Sequence, residues 1–202
     1  MTVRTGWGGW MRWIAALAVV AGLTGCAEKP PFVGIDITGA DYATGFDLTD
    51  HNGTRRTLAD FQGKVVVVFF GFTQCPDVCP TSMLEMAQAK AMLGDRADRF
   101  QGLFISVDPE RDTPQIMREY MANFDPSFLA LYTDLERLPA LAQSFKIFYR
   151  KVDGPTPTSY TMEHTAGSYV FDTQGRVRLY HRHNTGAEGL ASDVKRLLDE
   201  AR

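Results

Sequence analysis

The chain has 202 residues, 45% of them hydrophobic, and a formal net charge of −3. That length supports one ordinary domain with additional segments. The acidic balance argues against nucleic-acid binding, which needs a basic face, and no repeat or long low-complexity tract is present.

Arg4 and Arg12 flank the start of the chain, and Trp13 to Leu23 is an apolar and small-residue run. Such a run has the length of a signal-peptide core and falls short of the ~20 apolar residues of a bilayer span. Leu23-Thr24-Gly25-Cys26 then resembles a bacterial lipobox. The resemblance implies a lipoprotein signal peptide over residues 1–25, cleaved before Cys26, with lipid on the Cys26 thiol and the new amino terminus. An ordinary cleaved signal and a retained anchor helix are the other readings of these residues. Acyl chains would hold the domain at a membrane, here on the extracytoplasmic (periplasmic) side of a bacterial envelope. Outside the cytoplasm, thiols drift to disulfide unless something reduces them or a metal occupies them.

Residues 26–40, with Pro30, Pro31, Gly34 and Gly39, read as a tether, and residues 41–202 as a single domain. Phe46 to Leu48 and Arg56 to Leu58 flank Asp50-His51-Asn52-Gly53, an Asn-Gly hairpin signal that places His51 in a solvated turn. Val65 to Phe70 is β-branched and aromatic throughout, as in a central strand covered on both faces. Gly71 is expected to let the chain turn out of the sheet. A helix beginning near Asp77 or Val78 runs to Leu93, before Gly94, with Met83 and Met86 on its core face.

Leu103 to Val107 reads as a second buried strand. Asp112 or Thr113 can cap a helix starting at Pro114 and continuing to about Phe124, Asp112 being the expected cap. A short strand over Leu129 to Tyr132 and a helix from Asp134 to Phe148 follow. Lys151 to Thr161, with Gly154, Pro155 and Pro157, has little periodicity and reads as a mobile arm. Ser168 to Phe171 and Val177 to His181 form a hairpin around Asp172-Thr173-Gln174-Gly175, leaving His181 and His183 at an exposed strand end. Ala187 to Glu200 is an amphipathic closing helix. The pattern is α/β: a thioredoxin-like fold with an N-terminal β-hairpin extension.

The chemistry concentrates at the first strand-to-helix junction. The chain has three cysteines, and Cys75 and Cys79 sit one helical turn apart at the expected helix start. Unpaired amides and the helix dipole favour thiolate there. Three readings compete on spacing alone. A structural disulfide would close a ring too short to add much stability. A redox dithiol is the second, although dedicated exchangers space their cysteines C-x-x-C and here the spacing is C-x-x-x-C. A metal site is the third; it needs a further ligand, and soft sulfur selects Cu(I), or zinc less specifically.

GFTQCPDVCP, then SVDPERDTP from Ser106 to Pro114, then EHTAGSYVFDTQGRV from Glu163 to Val177, resemble the Sco/SenC family in order across roughly Phe46 to Tyr180. The resemblance implies a membrane-tethered, thioredoxin-fold protein that binds copper, as Cu(I) or Cu(II), through Cys75, Cys79 and His164. It further implies delivery of that copper to the dinuclear CuA centre of cytochrome c oxidase, so that subunit II is the expected partner, with another copper chaperone or a thiol reductase as further candidate partners. The expected class is a metallochaperone and not a turnover enzyme, and a thiol–disulfide reductase acting on the CuA-site cysteines is the alternative. The chain departs from the family pattern at Gln74, where histidine is common, and at Glu163, where aspartate usually precedes the ligand histidine. Asp77 reads as an exposed contact residue, and Asp108, Glu110 and Arg111 as a loop beside the site.

Overall fold

The computed structural model describes Thr2, residues 31–156 and residues 159–201. The lipobox, with Cys26, lies outside the described residues. Strand β1 is Ile35–Asp36, and a hairpin of β2 (Asp47–Asp50) and β3 (Arg55–Thr57) follows. The central unit alternates β4 (Val65–Gly71), α1 (Val78–Ala91), β5 (Phe100–Ser106), α2 (Pro114–Met121) and β6 (Leu129–Tyr132). Next come α3 (Leu138–Ser144), a hairpin of β7 (Tyr149–Asp153) and β8 (Tyr160–His164), a second hairpin of β9 (Gly167–Phe171) and β10 (Val177–Arg182), and α4 (Ala187–Glu200).

Eight strands form one sheet in the order β1-β10-β9-β4-β5-β6-β2-β3. β4, β5 and β6 run parallel, whereas β9 lies antiparallel on β4. This is the expected thioredoxin-like layout, with the β2–β3 hairpin added beyond β6. Every residue of β4 and β5 is buried, which explains their unbroken apolar character: parallel strands are covered on both faces. α1 packs on β4, β5 and α4, and buries Met83 and Met86 in the core as expected.

Several expectations are corrected. The residues placed in the tether contribute β1, whose Ile35 and Asp36 pair with Tyr180 and Leu179. The unit that includes it extends from Phe32 to Arg202. His181, expected at an exposed strand end, is buried with Nε2 2.9 Å from Asp193 Oδ2. Asp193 in turn accepts the N–H groups of Val33 and Gly34 at 3.0 and 2.8 Å, clasping the entering chain to α4. His183 is half-buried, with Nδ1 3.2 Å from Ser82 Oγ on α1. His51 is no solvated turn residue: its Nδ1 accepts the Ala130 N–H at 3.1 Å, and its own N–H donates to Ala130 O at 2.9 Å. The ring thus extends the β2–β6 ladder beyond its last backbone pair.

The helix expected from Asp134 to Phe148 is shorter at both ends. Asp134 accepts the Arg137 N–H at 2.8 Å in a turn ahead of α3. At the other end, Lys146 takes a φ of +53°, its N–H bonds Gln143 O, and Ile147 N–H bonds Ala142 O. That is a Schellman stop with lysine where glycine is usual, so the sequence carries no visible punctuation. Phe145 stays fully buried against Phe70 and Tyr169, and the Tyr169 hydroxyl donates to its carbonyl.

Within the expected mobile arm over Lys151 to Thr161, Lys151, Val152, Asp153, Tyr160 and Thr161 are paired strand residues. β7 and β8 pair from Tyr149↔His164 to Asp153↔Tyr160 in a two-stranded sheet of their own. Gly71 also has a different purpose from a turn. It remains paired with Ser106 inside the sheet, and a Cβ there would lie 2.8 Å from Cys79 Sγ and 2.9 Å from the Phe69 and Phe104 rings. Gly71→Ala is therefore expected to destabilise the reduced protein by about 1–3 kcal/mol through overpacking. Urea unfolding measures this, and an unchanged midpoint would contradict so close an approach.

Candidate metal centre

Cys75 lies in the β4–α1 loop, where its N–H donates to Phe72 O at 3.2 Å. Cys79 follows in the first turn of α1, whose N-cap Asp77 makes no side-chain capping bond. Instead the Cys79 N–H points at Cys75 Sγ, 3.4 Å away. The sulfur does what a capping oxygen usually does, and the orphan amides of the helix start favour its negative charge.

His164 ends β8. Side chains alternate along a strand, so His164, Met162 and Tyr160 share the less exposed side while Glu163 and Thr161 are exposed. The imidazole Nδ1 lies 3.1 Å from Thr165 O, which can only accept, so Nδ1 carries a hydrogen. Nε2 is thereby turned to the sulfurs, 3.3 Å from Cys79 Sγ. Phe69 and Phe72 meet the ring edge-on, each at 5.9 Å between centroids. One ligand atom from each of Cys75, Cys79 and His164 lies within 4.8 Å of the other two. This is close enough to hold a metal ion, and two sulfurs with one imidazole form a soft donor set.

The sulfurs are not equivalent. Cys79 is fully buried and Cys75 half-buried, and both are free thiols. A hydrogen bond from the Cys79 thiol is the largest influence on Cys75; His164 and nearby backbone amides add to it against the cost of burial, and the Cys75 pKa falls to about 4. The same shared proton, followed by burial, pushes Cys79 far above the usual thiol range. The resting site is thus a half-exposed thiolate beside a buried thiol.

The other residues singled out in the sequence take supporting places. Asp77 is exposed, as expected. Glu163 pairs with Arg150 at 2.7 Å and does not reach the imidazole. Asp112 does not cap α2; Thr113 does, accepting the Ile116 N–H. Asp112 is buried and accepts Thr73 N–H at 3.1 Å, Thr73 Oγ1 at 2.6 Å and Ser106 Oγ at 2.6 Å, fixing the cysteine loop to the end of β5. Its pKa is raised because burial outweighs those hydrogen bonds. Phe69, Phe72 and Tyr160 shape the site but escaped the sequence reading. Phe69 lay in the strand read as buried, Phe72 stood only within the quoted motif, and Tyr160 fell in the stretch without periodicity.

The SCO1/SenC family profile matches residues 36–199. A SCO2-like protein of Rickettsia felis is 33% identical over 132 residues, 65% of this chain and 64% of that protein's length. Among solved structures, ScoI of Bradyrhizobium japonicum with copper bound is 40% identical at a TM-score of 0.69, covering 76% of this chain and 97% of that one. Apo Sco1 of Thermus thermophilus is 36% identical at a TM-score of 0.73, covering 86% and 99%. Because that profile match spans most of the chain, and the fold agrees with it, the chain belongs to the SCO1/SenC family.

Proposed function

We propose that the protein is a membrane-tethered copper carrier that binds the metal through Cys75, Cys79 and His164 and passes it to the CuA centre of cytochrome c oxidase, on subunit II. The convergence of those three ligand atoms within 4.8 Å is the observation that carries this reading. The copper bound in the Bradyrhizobium japonicum relative supports it.

Copper is the cargo here. Two sulfurs and one imidazole suit Cu(I) in three-coordination and tolerate Cu(II) with a further ligand. Cys75 and His164 are only half-buried, so an acceptor ligand can approach from the open side and exchange with them in turn. No turnover chemistry is required of the chain. The lipobox supports placing residues 1–25 as a cleaved signal, Cys26 as the lipid anchor and the domain on the periplasmic side. Among the described residues, no helix is long and apolar enough to cross a membrane.

A second reading is favoured by the inequality of the sulfurs. A half-exposed thiolate next to a buried thiol is the arrangement of an attacking and a resolving cysteine. On that reading the protein reduces the CuA-site cysteines and has no use for His164.

Four measurements bear on these readings. Cu(II) added to the reduced domain is expected to produce thiolate-to-copper charge-transfer absorption, lost in Cys75→Ser and Cys79→Ser and weakened with about 10–100-fold lower affinity in His164→Ala. Transfer to the copper-free soluble domain of subunit II should fail in the same variants. Full transfer by His164→Ala, or replacement of the protein by reductant alone, would favour the reductase. In the metal-free reduced protein, iodoacetamide at pH 6 should modify Cys75 well before Cys79, since the lowered pKa leaves Cys75 ionised there; mass spectrometry reads the order, and attack on Cys79 first would refute the asymmetry. Labelled palmitate should enter the full chain in a bacterial host but not Cys26→Ala, and equal labelling of both would remove the anchor.

A further inference from the structure

Arg111 joins the two halves of the candidate site. It lies in the loop between β5 and α2. Its Nη1 donates to Gln74 Oε1 at 3.0 Å, on the residue before Cys75, and to Tyr160 O at 2.8 Å, four residues before His164. Nε donates to the buried Asp108 at 2.5 Å, and Asp108 also accepts the Tyr160 hydroxyl at 2.8 Å. The guanidinium stacks on the Tyr160 ring at 3.6 Å and stands 5.8 Å from the Phe72 ring, which itself packs on the imidazole. Lys151 lies 3.9 Å from the centroid of the Tyr160 ring and pairs with Glu110 at 2.6 Å.

This arrangement has consequences because β7 and β8 form a sheet of their own. The central ladder therefore does not register β8 against the thiols. At the base of the hairpin, Phe148 and Thr165 exchange two hydrogen bonds, the Thr165 N–H to Phe148 O and the Phe148 N–H to Thr165 Oγ1. Farther along, Met162 packs into the core, and the Arg111 cluster supplies the hydrogen bonds from β8 to the loops of the central sheet. A planar guanidinium serves acceptors on two segments in a fixed fork geometry while lying flat on an aromatic face; an ammonium is a point charge without that plane.

We propose that Arg111 is a positioning residue that docks the β7–β8 hairpin and so presets His164 against Cys75 and Cys79 before metal arrives. The inference rests on the metal-site reading of those three residues. Without the latch the thiol pair stays in place and the imidazole must be ordered at the moment of binding, which lowers affinity.

The test compares Arg111→Ala, Arg111→Lys and His164→Ala by copper(II) sulfate titration, and by amide hydrogen exchange in the metal-free reduced protein. In Arg111→Ala, exchange across residues 160–164 should accelerate at least about tenfold. Affinity should fall about 10–100-fold, with the charge-transfer spectrum moving toward that of His164→Ala. Arg111→Lys should recover part of both effects, and the double variant should bind no more weakly than His164→Ala alone. If His164→Ala weakens binding while Arg111→Ala keeps wild-type affinity, spectrum and exchange, the latch is wrong. If His164→Ala itself changes nothing, the metal-site reading fails instead, and unchanged exchange in Arg111→Ala then overturns the latch separately. Should Arg111→Ala fail to fold, Arg111→Lys decides by the same exchange and affinity readouts, and wild-type behaviour there refutes the requirement for a guanidinium fork.

Discussion

An imidazole carried on a hairpin outside the main sheet stands against two sulfurs at the β4–α1 junction, one buried and one half-buried, and much of the local structure bears on that alignment. The sulfurs are fixed by the β4–α1 junction, where a missing side chain at Gly71 makes room for Cys79 and the start of α1 brings Cys75 into line with its free amides. The imidazole comes from 85 residues further along. Tertiary packing alone brings such distant groups together, so their alignment is only as good as the contacts that dock the hairpin.

Those contacts converge on the end of β5. Ser106 Oγ donates to Asp112, which holds Thr73 in the cysteine loop, and accepts the Asp108 N–H. Asp108 in turn holds Arg111 and Tyr160. One serine hydroxyl thus links the group that secures the thiols to the group that secures the histidine strand. The SVDPERDTP stretch marks this hub, since its two aspartates, Asp108 and Asp112, are buried and used in internal hydrogen bonds. Buried carboxylates are costly unless satisfied, and here their hydrogen bonds also determine the site's geometry.

Metal carriage and thiol exchange draw on the same electrostatics. A shared proton leaves Cys75 anionic and Cys79 neutral; a cation that accepts both sulfurs must displace that proton. Nε2 of His164 is already turned toward the pair, and an exchanger has no evident need of it. The histidine is therefore the feature that separates the two chemistries, and the latch around Arg111 belongs to the same half of the site.

Much was legible from sequence because it depends on local rules. The unbroken Val65 to Phe70 run has to be covered on both faces, α4 shows its period directly, and a thiol pair at a strand-to-helix junction has few uses. The family resemblance, carried by motifs around Cys75, Asp108 and His164, supplied the third donor that spacing could not. What local rules did not reveal was decided by partners distant in the chain. His51 and His181 read as solvated because nothing nearby announces Ala130 or Asp193. The end of α3 went unseen because Lys146 stands where glycine usually signals a stop, and Lys151 to Thr161 read as irregular because its pairing is cross-strand and its anchor, Arg111, lies on another loop. The sequence by itself determined the central strands and the thiol pair, and its motifs pointed to His164 as the candidate third donor. Tertiary structure decided where the imidazole stands, because that depends on the side-chain contacts that dock a hairpin lying outside the main sheet.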